Sequence, residues 1–149
     1  MVGPDVESRG QVRHASRMFV VAAQLRVPVV AVVLRKAYGL GAMAMAAGSM
    51  QAPLATASWP SGEFGAMGLE GAVELGYRKE LRAAPEGTER DELRARLLAE
   101  QYEKGKAIHM AATLEIDAVI DPADTRRWLA AALASAKASA GTGRFIDPW

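Results

Sequence analysis

The sequence predicts an α/β fold. Three observations carry that reading: a uniformly apolar, mostly β-branched run at residues 29–34, glycine-bearing turns that lead into helical stretches, and the alternation of strand-like with helix-like segments along 149 residues. Half of the residues are apolar and 23% are charged, with 18 basic against 17 acidic side chains, a composition that excludes a disordered chain. Charge this balanced gives phosphate-backbone binding little to work with unless the cations gather on one face, so nucleic acid is not an expected partner.

Residues 1–10 form a Gly/Pro/Asp/Ser-rich lead-in without a period. Ser8 is the candidate cap of a helix running to about Arg26, with Val12, Ala15, Phe19, Ala22 and Ala23 on its apolar face and Arg9, Arg13 and Arg17 on another. Pro28 closes it by conflict with the preceding turn. Residues 29–34 then predict a central, parallel strand covered on both faces.

Residues 35–41 predict a turn, and residues 42–47 a tightly buried helix of small and unbranched side chains, with Met43 and Met45 filling core gaps. A second strand is expected within residues 52–59 and a third, shorter one at 63–67, separated by Pro60-Ser61-Gly62. Gly68 to Gly71 opens a helix from Ala72 to about Leu81, the two glycines allowing a close backbone approach.

Thr88-Glu89-Arg90-Asp91 resembles a capping box for a helix reaching Lys104, supported by the i,i+4 pairs Glu92–Arg96 and Glu100–Lys104. Residues 116–120 read as a short strand or extended turn. Asp121 as cap, Pro122 at the first helical position and Asp124 then start a helix over residues 126–137, and residues 138–149 read as a frayed end. No repeat of 20 to 50 residues is evident.

Cysteine is absent, which excludes disulfides, thiolate nucleophiles and Cys-ligated metals and fits a reducing compartment. Asp5 and Glu7 stand where an export signal would carry basic residues, and the longest apolar run, residues 27–34, is far short of the ~20 residues that span a bilayer. A cytoplasmic, soluble protein without a membrane partner is expected.

The candidate for chemistry is the loop Tyr38-Gly39-Leu40-Gly41-Ala42, between a buried strand and a helix amino terminus. Backbone N–H groups there lack intrahelical acceptors and the helix dipole is positive, so a developing negative charge can be held without a charged side chain. Purely conformational glycines are the alternative. The loop lacks the third glycine of a dinucleotide fingerprint and the Gly-Lys-Ser/Thr of a Walker loop.

Gly65 to Gly71 also fronts a helix, with close packing as its alternative role. Glu63 and Glu70 beside these loops read either as acid/base groups or as surface carboxylates. Arg35 and Lys36 read as solvated, or as partners of an anionic ligand or a neighbouring subunit's acids. His14 and His109 have no nearby carboxylate pattern, so no metal is expected. Ser16, Ser49 and Ser61 lack a nucleophile-elbow context, which disfavours a serine hydrolase.

Several segments together resemble a known family. They are Gly3-Pro4-Asp5-Val6-Glu7, Val12-Arg13-His14, Pro28 through Ala42, Trp59-Pro60, Met67 through Val73, Tyr77 through Leu81 and Ile116 through Arg126. In order, over about residues 1–133, they resemble the carboxyl-terminal part of the carboxyltransferase β subunits of biotin-dependent acyl-CoA carboxylases, such as propionyl-CoA carboxylase.

The resemblance implies a partial crotonase-like fold of stacked ββα units. It implies biotin, as carboxybiotin on a carrier protein and not covalently bound here, and transfer of its carboxyl group to the α carbon of an acyl-CoA. The backbone amides of Leu40 and Gly41 would form the oxyanion hole for the biotin oxygen, within a cofactor-binding segment Tyr38, Gly39, Leu40, Gly41 and Ala42. Many members read Tyr-Gly-Gly-Ala at this segment. Met43 occupies the position that in some members helps choose the acyl group.

Implied partners are an acyl-CoA, the biotin carboxylase and biotin carrier subunit, and a second copy through the family's dimer interface. Residues 1–138 would be part of a carboxyl-terminal carboxyltransferase domain and residues 139–149 a flexible tail. Family subunits are several times longer, Met1 resembles an internal methionine, and the chain is expected to be truncated and inactive alone. Two alternatives stand beside this reading: a non-catalytic subunit keeping a dimerisation surface, and another crotonase-type acyl-CoA enzyme.

Overall fold

The computed structural model describes residues 4–136. Its α/β character comes from two successive strand–strand–helix units. β1 (Val30–Val33), β2 (Lys36–Tyr38) and α3 (Gly39–Met45) form the first, and β3 (Ala55–Ser58), β4 (Glu63–Gly65) and α4 (Leu69–Gly76) the second. Equivalent strands stack in parallel: β1 on β3 with Val30 opposite Ala55, and β2 on β4 with Lys36 opposite Glu63. A short β5 (Ala118–Val119) adds to β3, giving one sheet ordered β1-β3-β5 and a second of β2 and β4. The structure thus contains a repeat of 25 to 27 residues, the offsets of those paired positions, that side-chain identity does not reveal. Backbone pairing needs only matched lengths and turns.

Two helices precede the first unit. Residues 4–7 form α1 (Pro4–Glu7) rather than an irregular lead-in, and Ser8 donates to the Asp5 carbonyl at 2.9 Å instead of capping the second helix. α2 (Gln11–Gln24) starts after Gly10, whose φ of 75° makes the corner with no side-chain cap. It ends at Gln24, Leu25 being already extended. Ala15, Phe19, Ala22 and Ala23 are half-buried as expected, but Val12 is 69% exposed.

Among the described residues β1 is parallel yet lies at the edge of its sheet, and all four of its residues are only half-buried; β3 lies between β1 and β5. A β-branched run signals a strand, but neither how fully its faces are covered nor how many strands pair with it. Residues 36–38, expected as turn, are strand because Lys36, Ala37 and Tyr38 find Glu63, Phe64 and Gly65 as partners. α3 starts at Gly39, three residues earlier than expected. Ala44 and Ala46 are buried, whereas Met43 and Met45 are exposed, Met45 at 76%, so neither methionine fills the core.

The expected helix over residues 72–81 is two helices, α4 and α5 (Arg78–Ala83), broken at Tyr77. α6 (Thr88–Lys104) begins after Gly87, at φ 101°, with Thr88 as its first residue, so the capping box does not form. Neither Glu92–Arg96 nor Glu100–Lys104 comes within ion-pair distance; Arg94 instead reaches Glu74 across to α4, at 2.7 Å, and Asp91. α7 (Ala107–Ala112) has no counterpart among the elements expected from sequence.

β5 holds two residues of the expected 116–120 strand. Asp121 caps as expected, accepting from the Ala123 amide at 2.8 Å, but the turn it starts is a 3-10 turn that hands over to α8 (Thr125–Ala134). Residues 137–149, including the expected tail, lie outside the described residues.

Two small cores result. Ala37 of β2, Phe64 of β4, Ala107 of α7 and Ile116 pack together, and Val73, Leu81 and Leu97 join α4, α5 and α6. Between β1 and β3 the buried Ser58 hydroxyl bonds the Val33 carbonyl at 3.2 Å. Among the described residues no buried side-chain nitrogen or oxygen lacks a partner.

Candidate functional site

The glycine turn lies at the junction of β2 and α3. Tyr38 ends the strand with extended torsions and occupies the cap position of α3, where no side chain satisfies the first-turn amides. Gly39 then takes φ +55°, and a Cβ there would sit 2.6 Å from the Ala66 carbonyl oxygen. Glycine is required at this position on both counts.

The unusual torsion is confined to Gly39. Leu40 and Gly41 keep negative φ within α3, so a non-glycine residue at position 40 holds its amide in regular first-turn geometry. The Leu40 side chain is 71% exposed and leaves the turn open to approach. By position the amides of Leu40 and Gly41 have no i−4 helical acceptor, and they lie at the positive end of α3.

The second glycine cluster backs the first. A Cβ on Gly65 would meet a Leu69 methyl carbon at 2.8 Å and the Tyr38 ring at 3.6 Å, so the bare backbone of β4 admits both side chains. Gly68 and Gly71, expected to permit a close approach, have open space or only the Met67 sulfur at 3.9 Å. Close packing falls two to three residues earlier, at Gly65 and Ala66.

Two tyrosine–carboxylate pairs adjoin the turn. The Tyr38 hydroxyl donates to Glu63 Oε2 at 2.8 Å, and the Tyr102 hydroxyl, from α6, donates to Glu70 Oε1 at 2.9 Å. Burial, then the hydrogen bond and negative charge of Glu63, push the Tyr38 phenol well above its ordinary range. Glu70 is held below the usual carboxylate range by its own backbone amide and by Tyr102. Glu70 is therefore an ionised acceptor at neutral pH rather than a proton donor.

Lys36 stands opposite Glu63 in the strand register, with its ammonium 5.8 Å from the centre of the Tyr38 ring. Sequence reasoning singled out Glu63, Glu70 and Lys36 separately but missed Tyr102, which lies 32 residues from Glu70. No local spacing signals such a pair. His14 and His109 are both exposed and far apart in the chain, and His109 faces Glu103 at 3.6 Å. Among the described residues no group of three or more His, Asp or Glu side chains could hold a metal ion.

Comparison with known proteins decides the family. The carboxyl transferase domain model matches residues 1–144. The chain belongs to the carboxyl transferase domain family. This carboxyl transferase domain is 40% identical over 132 residues to the methylmalonyl-CoA carboxyltransferase 12S subunit of Propionibacterium freudenreichii subsp. shermanii, covering 88% of the chain and 24% of that subunit. It is 38% identical over 145 residues to the biotin-dependent acetyl-/propionyl-coenzyme A carboxylase beta6 subunit of Mycobacterium bovis, covering 97% of the chain and 30% of that subunit.

Among solved structures it superposes on transcarboxylase 12S with a TM-score of 0.79 at 34% identity, over 99% of this chain and 28% of that one. A single-chain, multi-domain long-chain acyl-CoA carboxylase gives a TM-score of 0.76 at 53% identity, over 88% of this chain and 12% of that one. The fold is crotonase-like, and the stacked strand–strand–helix units are its repeat. The chain spans about a quarter to a third of the length of these curated subunits.

Proposed function

We propose that this carboxyl transferase domain supplies the biotin-side half of an acyl-CoA carboxyltransferase. One observation carries the reading: the uncapped first turn of α3, where the Leu40 and Gly41 amides come directly after the left-handed Gly39 and no cap side chain hydrogen-bonds to the turn. Relatives named as biotin-dependent carboxylase subunits support biotin as the carrier-borne cofactor. When bound, biotin would supply the carboxyl group and a ureido oxygen that gains negative charge as the group leaves.

The chain's own residues do three things in this reading. Leu40 and Gly41 direct two amides at that oxygen, stabilising charge as it develops. Gly39 sets their direction, and Tyr38, tied to Glu63, fixes the end of the strand from which the turn springs. Met43, one helical turn into α3, would help choose the acyl group. Residues 1–138 act as part of a carboxyl-terminal carboxyltransferase domain, working in the cytoplasm with an acyl-CoA, a biotin carboxylase and carrier subunit, and a second carboxyltransferase copy.

The test is decarboxylation of methylmalonyl-CoA in the presence of free biotin, with the chain alone and mixed with the acyl-CoA-side portion of a carboxyltransferase subunit. Turnover is expected only in the mixture, and Gly39→Val, which cannot keep the left-handed torsion that directs the Leu40 and Gly41 amides, lowers it by about 100-fold or more, the usual loss for an oxyanion donor. Unchanged turnover in the variant would remove the turn from the mechanism.

A second reading, a non-catalytic subunit retaining an association surface, draws on the apolar groove between α2 and α3, where Met18, Val21, Leu25 and Met45 lie exposed. Association with a carboxyltransferase subunit without any turnover would favour it.

A further inference from the structure

Overall charge is nearly balanced, yet four arginines gather on the helical layer. α4, α5 and α6 enclose a hollow of about 440 Å³ walled by Arg78, Arg82, Arg90 and Arg94 against one acid, Glu74. No residue of the glycine turn lines it.

Two of the four arginines are committed to the fold. Arg90 places Nε and Nη2 on the Ala84 carbonyl, at 3.2 and 2.8 Å, and faces Glu86 at 3.4 Å. Arg94 binds Glu74 through Nε at 2.7 Å and approaches Asp91 at 3.6 Å. Glu74, the single acid on the wall, is thereby already paired. Arg78 and Arg82 stand one turn apart on α5, and among the described residues neither has a carboxylate within ion-pair distance. Leu75, 63% exposed, and Leu81 add an apolar wall beside them.

We infer that Arg78 and Arg82 form a binding site for a diphosphate group, in free form or carried by a nucleotide. Two guanidinium groups at i and i+4 are neighbours on one helix face, close enough to share adjacent phosphates, and arginine suits bidentate contacts with them. The paired Arg90 and Arg94 complete the wall of the hollow. Leu75 offers surface to the organic part of a nucleotide. This site is independent of the carboxyl-transfer reading, and its failure would leave that reading untouched.

Calorimetric titration of the full chain with inorganic pyrophosphate and with ADP tests it. Both probes are expected to bind at low ionic strength and to weaken with added salt. R78Q/R82Q, with circular dichroism confirming its helices, should weaken both by roughly tenfold or more. R13Q/R17Q, on exposed positions of α2, should bind as the unaltered chain does. Tighter binding of ADP than of pyrophosphate, erased by Leu75→Ser, supports a nucleotide as the source; equal binding that R78Q/R82Q still removes supports the free diphosphate. Absence of binding at millimolar concentration, or equal loss in both double variants, overturns the proposal.

Discussion

At Gly39 the chain passes from strand to helix within one residue, and this single left-handed torsion lets Leu40 be an ordinary helical residue. The neighbouring Tyr38 gives the site a measurable signature. Its phenol is raised by burial and by Glu63, so the folded state holds this proton more tightly than the unfolded chain does. The stabilisation is complete below the ordinary tyrosine value, about 10, and is lost as pH rises from there toward the folded value. Absorbance at 295 nm should therefore show Tyr38 ionising after an ordinary tyrosine would. Glu63→Gln should bring that ionisation to lower pH while leaving the burial contribution. A titration curve identical in the two proteins would exclude the Tyr38–Glu63 hydrogen bond from the shift.

At the scale of elements, the segment between β4 and β5 shows what local patterning cannot report. The two ββα units recur at 25 to 27 residues, but β5 pairs with β3 across 61 residues, the offset of Ala57 and Ala118, because α5, α6 and α7 intervene. Asp117 secures this distant pairing: its carboxylate accepts from the Thr56 amide at 2.7 Å while its own amide donates to the Thr56 carbonyl at 2.8 Å. Thr56 is almost wholly buried, and its amide would lose its acceptor in Asp117→Ala. A loss of about 1 to 3 kcal/mol is expected, read as a lower urea midpoint. Asp117→Asn, which keeps an oxygen acceptor, should recover part of it.

Much of the exposed apolar surface lies along α2 and α3, where Met18, Val21, Leu25, Met43 and Met45 face outward. The isolated chain should therefore bind a hydrophobic dye and self-associate at micromolar concentration. Met18→Lys/Val21→Lys should reduce both, with little change in the thermal midpoint because neither side chain is buried. Dye binding unchanged by the double variant would place the exposed apolar surface elsewhere.

The sequence by itself determined the α/β class, the positions of the strands at residues 30–33, 55–58 and 63–65, the Asp121 cap and the glycine turn. Each depends on residues adjacent in the chain: β-branched runs, turn residues, a carboxylate two residues from the amide it caps. Its family likeness, carried by ordered segments, supplied the stacked ββα fold that periodicity missed. Only the tertiary structure decided that β1 pairs with β3, that residues 36–38 are strand, that Met45 is exposed, and that Tyr38 meets Glu63 while Tyr102 meets Glu70. These depend on what lies across a sheet or on a neighbouring helix. Pairing between segments tens of residues apart is chosen by the total burial and hydrogen bonding of the fold, which no window of local sequence contains.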